Sequence, residues 1–177
     1  MTQPFASAAR WLTRGAAGLF GVIVCAGPGL AQTTQLHKRF ADWSAYRHEA
    51  PEQHFCFVMG QPKQTQPSGL QRGPARVYVT SWPKAGVKAE ISVRIGYPFK
   101  PGAPAILAVG SDSFLLFTKD DRGFVESAAD ELRLLEALKK AERMSIQGQS
   151  ERGTTTTDTY SLAGFAAAVQ HLSQICP

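Results

Sequence analysis

The sequence predicts a mainly β protein: an antiparallel β-sandwich, immunoglobulin-like or jelly-roll-like, with two α-helices, one of them C-terminal. Three observations carry that expectation. Short segments alternate apolar and polar residues, most clearly Val87, Ala89, Ile91, Val93 and Ile95 against Lys88, Glu90, Ser92 and Arg94. A period of two puts one strand face on a core and the other in water. Clusters of Gly, Pro, Asp and Ser separate these segments at short intervals, as in sandwiches. Only two segments, Ser127–Glu142 and Ser161–Cys176, show helical spacing.

The chain opens on an expected leader. Arg10 and Arg14 precede the 12-residue apolar run Gly15–Ala26, and small residues follow at Gly29 and Ala31. This is the pattern of a secretory signal peptide, with cleavage between Ala31 and Gln32. The run is well short of the roughly 20 residues a membrane span needs. Cys25 follows Val22-Ile23-Val24 rather than a small residue, which argues against lipidation. The expected organisation is a cleaved leader, 1–31, and one domain, 32–177, with no membrane span after cleavage and a location in the periplasm, with outer-membrane association or secretion as alternatives. The formal charge of +5 for the full chain falls by two with the leader. That mild basicity, without a Lys/Arg block, gives no reason to expect nucleic-acid binding.

Beyond the leader, Gln32–Lys38 is polar and reads as frayed. Phe40, Trp43 and Ala45 place a strand around Trp43–Arg47. His54–Gly60 is apolar on both faces, as in a strand inside a sandwich. Gln61–Pro74 holds three prolines and two glycines without periodicity and reads as a long loop. In Ala75–Trp82, Val77, Val79 and Ser81 alternate with Tyr78, Thr80 and Trp82. This strand and Val87–Tyr97 flank the turn Pro83–Gly86 as a hairpin. Ala105–Gly110 and Ser113–Lys119 are two short strands, and Asp120–Gly123 turns into Phe124–Ser127.

Ser127 caps the first helix, with Asp130 three residues on. Ala128, Leu132, Leu135 and Leu138 are its expected inner stripe, and Lys139 and Lys140 suit its C-terminal end. Met144 and Ile146 point inward from the next strand. Thr154–Tyr160 follows as a strand, since β-branched threonine favours pleated sheet. Ser161 stands where an N-cap belongs. Leu162, Phe165, Val169, Leu172 and Cys176 form the apolar stripe of the last helix. Cys56 and Cys176 are the two cysteines that survive cleavage. In an oxidising compartment they are expected to pair.

Several stretches together resemble a known family. They are "FADWSAY", "FCFVMGQPK", "VRIGYPFK", "FLLFTKDDRGFVES" and, most specifically, "MSIQGQSERGTTTTDTYSLAGFAAAV" followed by the last cysteine. From about Phe40 to Cys176 the chain is similar to the invasion-associated locus B proteins, small exported proteins of Gram-negative bacteria. The resemblance implies an envelope protein with a β-sandwich core, a role in host-cell entry in a few pathogens, and no catalytic residues to carry over. Larger members have additional cysteines. Here Asp42-Trp43 is followed by Ser44, Ala45 and Tyr46, and no cysteine lies between Cys56 and Cys176. The chain therefore resembles the shorter, single-bridge branch.

Candidate chemistry weighs lightly beside this. A Cys56, His171 and Asp158 nucleophilic site needs a thiolate next to a base, but the helical phase turns His171 away from the apolar stripe. His48 and His54, with Glu49 or Glu52, match no metal-ligand spacing. Gly110–Ser113 lacks the nucleophile-elbow pattern. No metal, cofactor or catalysis is expected. The candidate contacts for a partner or ligand are Arg152, Asp158, Tyr160, Trp82 and Tyr97. The leading expectation is a non-enzymatic envelope protein that binds a protein or envelope component. One alternative is a periplasmic ligand-binding protein or enzyme with a pocket near Arg152, Asp158 and Tyr160. Another is a structural or stress-protective periplasmic protein.

Overall fold

The computed structural model describes residues 32–177; the expected leader lies outside the described residues. Eleven strands form one antiparallel ladder: β1 (Thr33–Phe40), β2 (Trp43–Glu49), β3 (His54–Gly60), β4 (Gln64–Gln66), β5 (Arg76–Trp82), β6 (Val87–Arg94), β7 (Ala105–Val109), β8 (Asp112–Lys119), β9 (Arg122–Val125), β10 (Arg143–Gln149) and β11 (Thr155–Ser161). Their spatial order is β1-β2-β3-β5-β6-β9-β8-β7-β10-β11-β4. Helix α1 (Ala128–Lys140) precedes β10, and α2 (Phe165–Ile175) follows β11.

The short strand β4 shows how this ladder becomes two layers. It pairs with β11 at the far edge of the sheet, yet only residues 61–63 separate it from β3. Three residues reach about 10–14 Å at most. The far edge must therefore curl back towards β3. The curled inner face encloses one apolar cluster with members from both halves, including Trp43, Val58, Val79, Ile91, Leu107, Leu116 and Ile146.

The alternating segments form strands as expected, and the hairpin across Pro83–Gly86 closes on a short 3-10 turn. Three local expectations are corrected. Gln32–Lys38 is not frayed: Thr33–Phe40 is a mostly exposed edge strand on β2. Both its faces meet solvent, so no apolar period marks it, and backbone pairing alone defines it.

The α1 stripe holds at Leu135 and Leu138 but not at Ala128 and Leu132, which are exposed. Ser127 does cap the helix, accepting the Asp130 N–H, but Leu134, Leu135 and Leu138 are buried while Leu132 is 66 % exposed. The inner face starts at Glu131, whose carboxylate accepts the Ile91 N–H at 2.7 Å. Strand β9 pairs with β6 only along Ser92–Arg94, and Glu131 supplies the acceptor just past that pairing.

Ser161 is not the N-cap of α2. It is still paired with Arg143 in the sheet, and its hydroxyl accepts the Ala163 N–H. The cap is Gly164, with φ +85°. A Cβ there would lie 2.1 Å from the Phe40 carbonyl oxygen, so only glycine fits this close approach.

Helix α2 lies against the start of the sheet. Trp43 is fully buried, meets Phe165 edge-on at 4.7 Å and donates its indole N–H to the Ser161 carbonyl. Beyond the last turn of α2, Cys176 is bonded to Cys56 of β3, with Cα atoms 5.9 Å apart.

Candidate functional site

The threonine-rich strand β11 sorts its residues by alternation. Thr156, Asp158 and Tyr160 point into the protein, while Thr155, Thr157 and Thr159 lie on the other face. A carboxylate buried this way needs a counter-charge and hydrogen bonds. Arg72, from the Pro- and Gly-rich loop, supplies them. Its Nη1 donates to Asp158 Oδ2 at 2.9 Å and to the Ile95 carbonyl at 2.8 Å, and its Nη2 bonds Asp158 Oδ1. Thr65 of β4 donates its hydroxyl to Asp158 Oδ1 at 2.7 Å. The side chains of Arg72 and Asp158 are 8 % and 1 % exposed. Burial works against the Arg72 charge, but the hydrogen bond and charge of Asp158 outweigh it and raise the guanidinium pKa. This bidentate pair ties the loop, β11 and the end of β6 together.

A cleft of about 340 Å³ opens above the pair. Leu70 and Arg72 form one wall. Tyr97 and Pro98 form another, and the turn carrying Glu151 and Arg152 forms the third. The turn is held by hydrogen bonds from Gly153 N–H to Ser150 O and from Ser150 N–H to Thr154 O, both 2.8 Å. Gly153 has φ +85°, and this turn presents Arg152 at the surface. Tyr97 donates to the Gly148 carbonyl at 3.0 Å and meets the Thr156 hydroxyl at 2.7 Å. Burial raises its pKa. The cleft thus combines an apolar edge, an exposed guanidinium beside a carboxylate, and a rigid charged floor.

The candidate residues do not all converge. Arg152 and Tyr97 line the cleft. Asp158 lies beneath it in the ion pair. Tyr160 is 1 % exposed, and its hydroxyl has no hydrogen-bond partner among the described residues. Burial, and then the charge of Asp158, push its pKa far above the ordinary phenol value. Trp82 lies elsewhere, its ring 4.5 Å from Phe55 on the outer face of the first strands. Arg72, which anchors the site, was not among the candidates. Its only sequence signal is an arginine in a proline-rich loop, and no spacing connects it with Asp158, 86 residues away.

The other constellations separate as well. Cys56 is in the disulfide, and the imidazole nearest its partner sulfur is His54, with Nε2 3.5 Å from Cys176 Sγ. His171 is half-buried, off the apolar stripe of α2. It lies 2.8 Å from His37 and packs on Phe40 at 5.2 Å. His48 pairs with Phe55 and Glu49 with His54. Neighbouring residues of a strand alternate faces, so His48 and His54 sit on opposite sides of the sheet.

Comparison with known proteins agrees with this architecture. The family model described as "Invasion associated locus B (IalB) protein" matches residues 43–173. The crystal structure of invasion associated protein B from Bartonella henselae superposes with a TM-score of 0.57 at 14 % identity, covering 80 % of this chain and 98 % of that one. At that identity the likeness is one of fold. No curated protein sequence matches the chain.

Proposed function

The chain belongs to the invasion associated locus B family, and from that premise we propose that it is an exported cell-envelope protein that acts by binding a partner rather than by catalysis. The observation that carries this reading is the commitment of its reactive groups to structure. Cys56 is bonded to Cys176, Asp158 is neutralised by Arg72, and Tyr160 is buried with its proton retained. A general base or nucleophile must be free to exchange a proton or an electron pair; these groups are not. The cleft rimmed by Leu70, Tyr97 and Arg152 offers what interfaces favour, an aromatic ring and an arginine on a rigid base. A part in host entry, the property that names the family, would be exercised through that surface.

Expression of the full chain in a Gram-negative host tests both halves of the proposal. Export predicts a mature protein starting at Gln32 in the periplasmic fraction. Partner binding predicts that a photo-cross-linking side chain at Leu70 or Arg152 captures a discrete envelope component that the same probe at Lys88 does not. Uncleaved protein in the cytoplasm would overturn the first half, and identical capture from all three positions the second. A cleft of about 340 Å³ also falls in the small-molecule range of roughly 300–1,000 Å³, so a small anionic ligand is the second reading. Saturable binding that Arg152→Ala abolishes, with no captured macromolecule, would favour it.

A further inference from the structure

The face of the sheet away from the core is organised in rows that cross the strands. In one row, Arg76 of β5 stands opposite Arg94 of β6, Arg94 opposite Arg122 of β9, and Arg122 opposite Lys119 of β8. Four cations therefore lie side by side across four neighbouring strands spaced about 4.8 Å apart. Like charges directly opposite one another destabilise a sheet. Relief is partial: Asp121, in the turn between β8 and β9, bonds Arg94 at 2.5 Å. Among the described residues Arg122 and Lys119 have no salt-bridge partner.

Two residues along each strand, on the same face, the next row is Tyr78, Ser92, Phe124 and Phe117. Phe124 and Phe117 stack with centroids 5.3 Å apart. One step further, Leu115 of β8 stands opposite Ile106 of β7. Leu115, Phe117 and Ile106 are 66 %, 48 % and 37 % exposed. A cation row thus borders an apolar row on one face of the sheet, and none of these residues lines the cleft.

We propose that this face docks on an anionic phospholipid bilayer. The cation row would meet headgroup phosphates, while Leu115, Phe117 and Ile106 enter the boundary between headgroups and acyl chains. The charge is complementary to such a surface. The exposed apolar side chains of Leu115, Phe117 and Ile106 add the burial that strengthens interfacial binding. The proposal does not depend on the cleft, and either can fail without the other.

The test uses the chain from Gln32, which holds every element and the whole core cluster described above, co-sedimented with phosphatidylcholine vesicles with and without phosphatidylglycerol. Binding is expected only with phosphatidylglycerol and should fall as salt rises. Removing two charges in Lys119→Gln/Arg122→Gln should lower the partition coefficient about 30-fold. Leu115→Ser/Phe117→Ser should weaken binding at every salt concentration. All four side chains are surface-exposed or half-exposed, so the thermal transition of the variants reports whether the fold is kept. No binding by the wild type, or equal binding by folded variants, overturns the proposal. Tighter binding to a polyglutamate probe, insensitive to Leu115→Ser/Phe117→Ser, overturns it in favour of an acidic protein partner. Concentration-dependent dimers abolished by the same substitutions overturn it in favour of a second copy of the chain.

Discussion

Replacing Asp158 with alanine removes the carboxylate while leaving the Arg72 guanidinium in place, 8 % exposed. The guanidinium then retains only the Ile95 carbonyl and the Thr65 hydroxyl, at 2.8 and 3.1 Å, as polar partners. Breaking a buried pair from one side costs about 3–5 kcal/mol, because the remaining charge is desolvated without compensation. For a domain of this size each kcal/mol lowers Tm by about 2–4 °C, so the expected drop is roughly 6–20 °C. Against a total stability of about 5–15 kcal/mol, that is enough to leave a measurable unfolded population. Urea unfolding followed by tryptophan fluorescence reads the effect, since Trp43 is buried in the core. The double variant Arg72→Met/Asp158→Leu should recover most of the loss, because apolar replacements leave no orphaned charge. A loss below about 1 kcal/mol for Asp158→Ala, or a double variant as unstable as the sum of the singles, would refute the role given to the pair.

Replacing Cys56 and Cys176 together with alanine opens a loop with a sequence separation of 120. The chain-entropy relation gives about 5 kcal/mol; a denaturant midpoint unchanged by the double substitution would contradict it. Gly164→Ala meets both a positive φ and the Phe40 backbone and should cost at least about 3 kcal/mol. Gly86→Ala, at φ +69° with nothing within 4 Å, should cost about 1 kcal/mol; equal costs would show that the close approach is unimportant. Glu131 has a pKa above its ordinary value of 4.5, chiefly through burial, opposed by the Ile91 N–H and reinforced by the charge of Glu90. A raised carboxyl pKa contributes stability that is present below the unfolded value and lost as pH rises through the folded one. Glu131→Gln should therefore gain on the wild type as pH rises from about 4 towards neutrality. A stability difference flat with pH, or one of opposite sign, would count against that environment.

The strands that bury one face and wet the other were legible because alternation is a property of neighbouring residues: Val87–Arg94 and Arg76–Trp82 could be read from their own letters. The edge strand Thr33–Phe40 could not, since neither of its faces is buried. In α1, Leu135 and Leu138 were legible, but Glu131 and Leu134 take the inner face in place of Ala128 and Leu132, because an inward glutamate looks polar until its backbone partner on β6 is known. In the candidate site, Arg152 and Tyr97 were legible as exposed or half-exposed polar and aromatic residues beside turns. The arginine beneath them was not, because its partner lies on a different strand.

Taken by itself, the sequence determined the β-rich class, the two helices, the pairing of Cys56 with Cys176 and the family. Those depend on periodicity, on the count of cysteines and on a contiguous motif around Thr154–Tyr160, all of which are local. Tertiary structure alone decided that the sheet curls until β4 reaches β11, that Asp158 faces inward onto Arg72, and that Arg76, Arg94, Arg122 and Lys119 stand in one row. Each depends on strand order and register across distant segments. Strand order and register are set by the closing of the whole core rather than by any one stretch of chain.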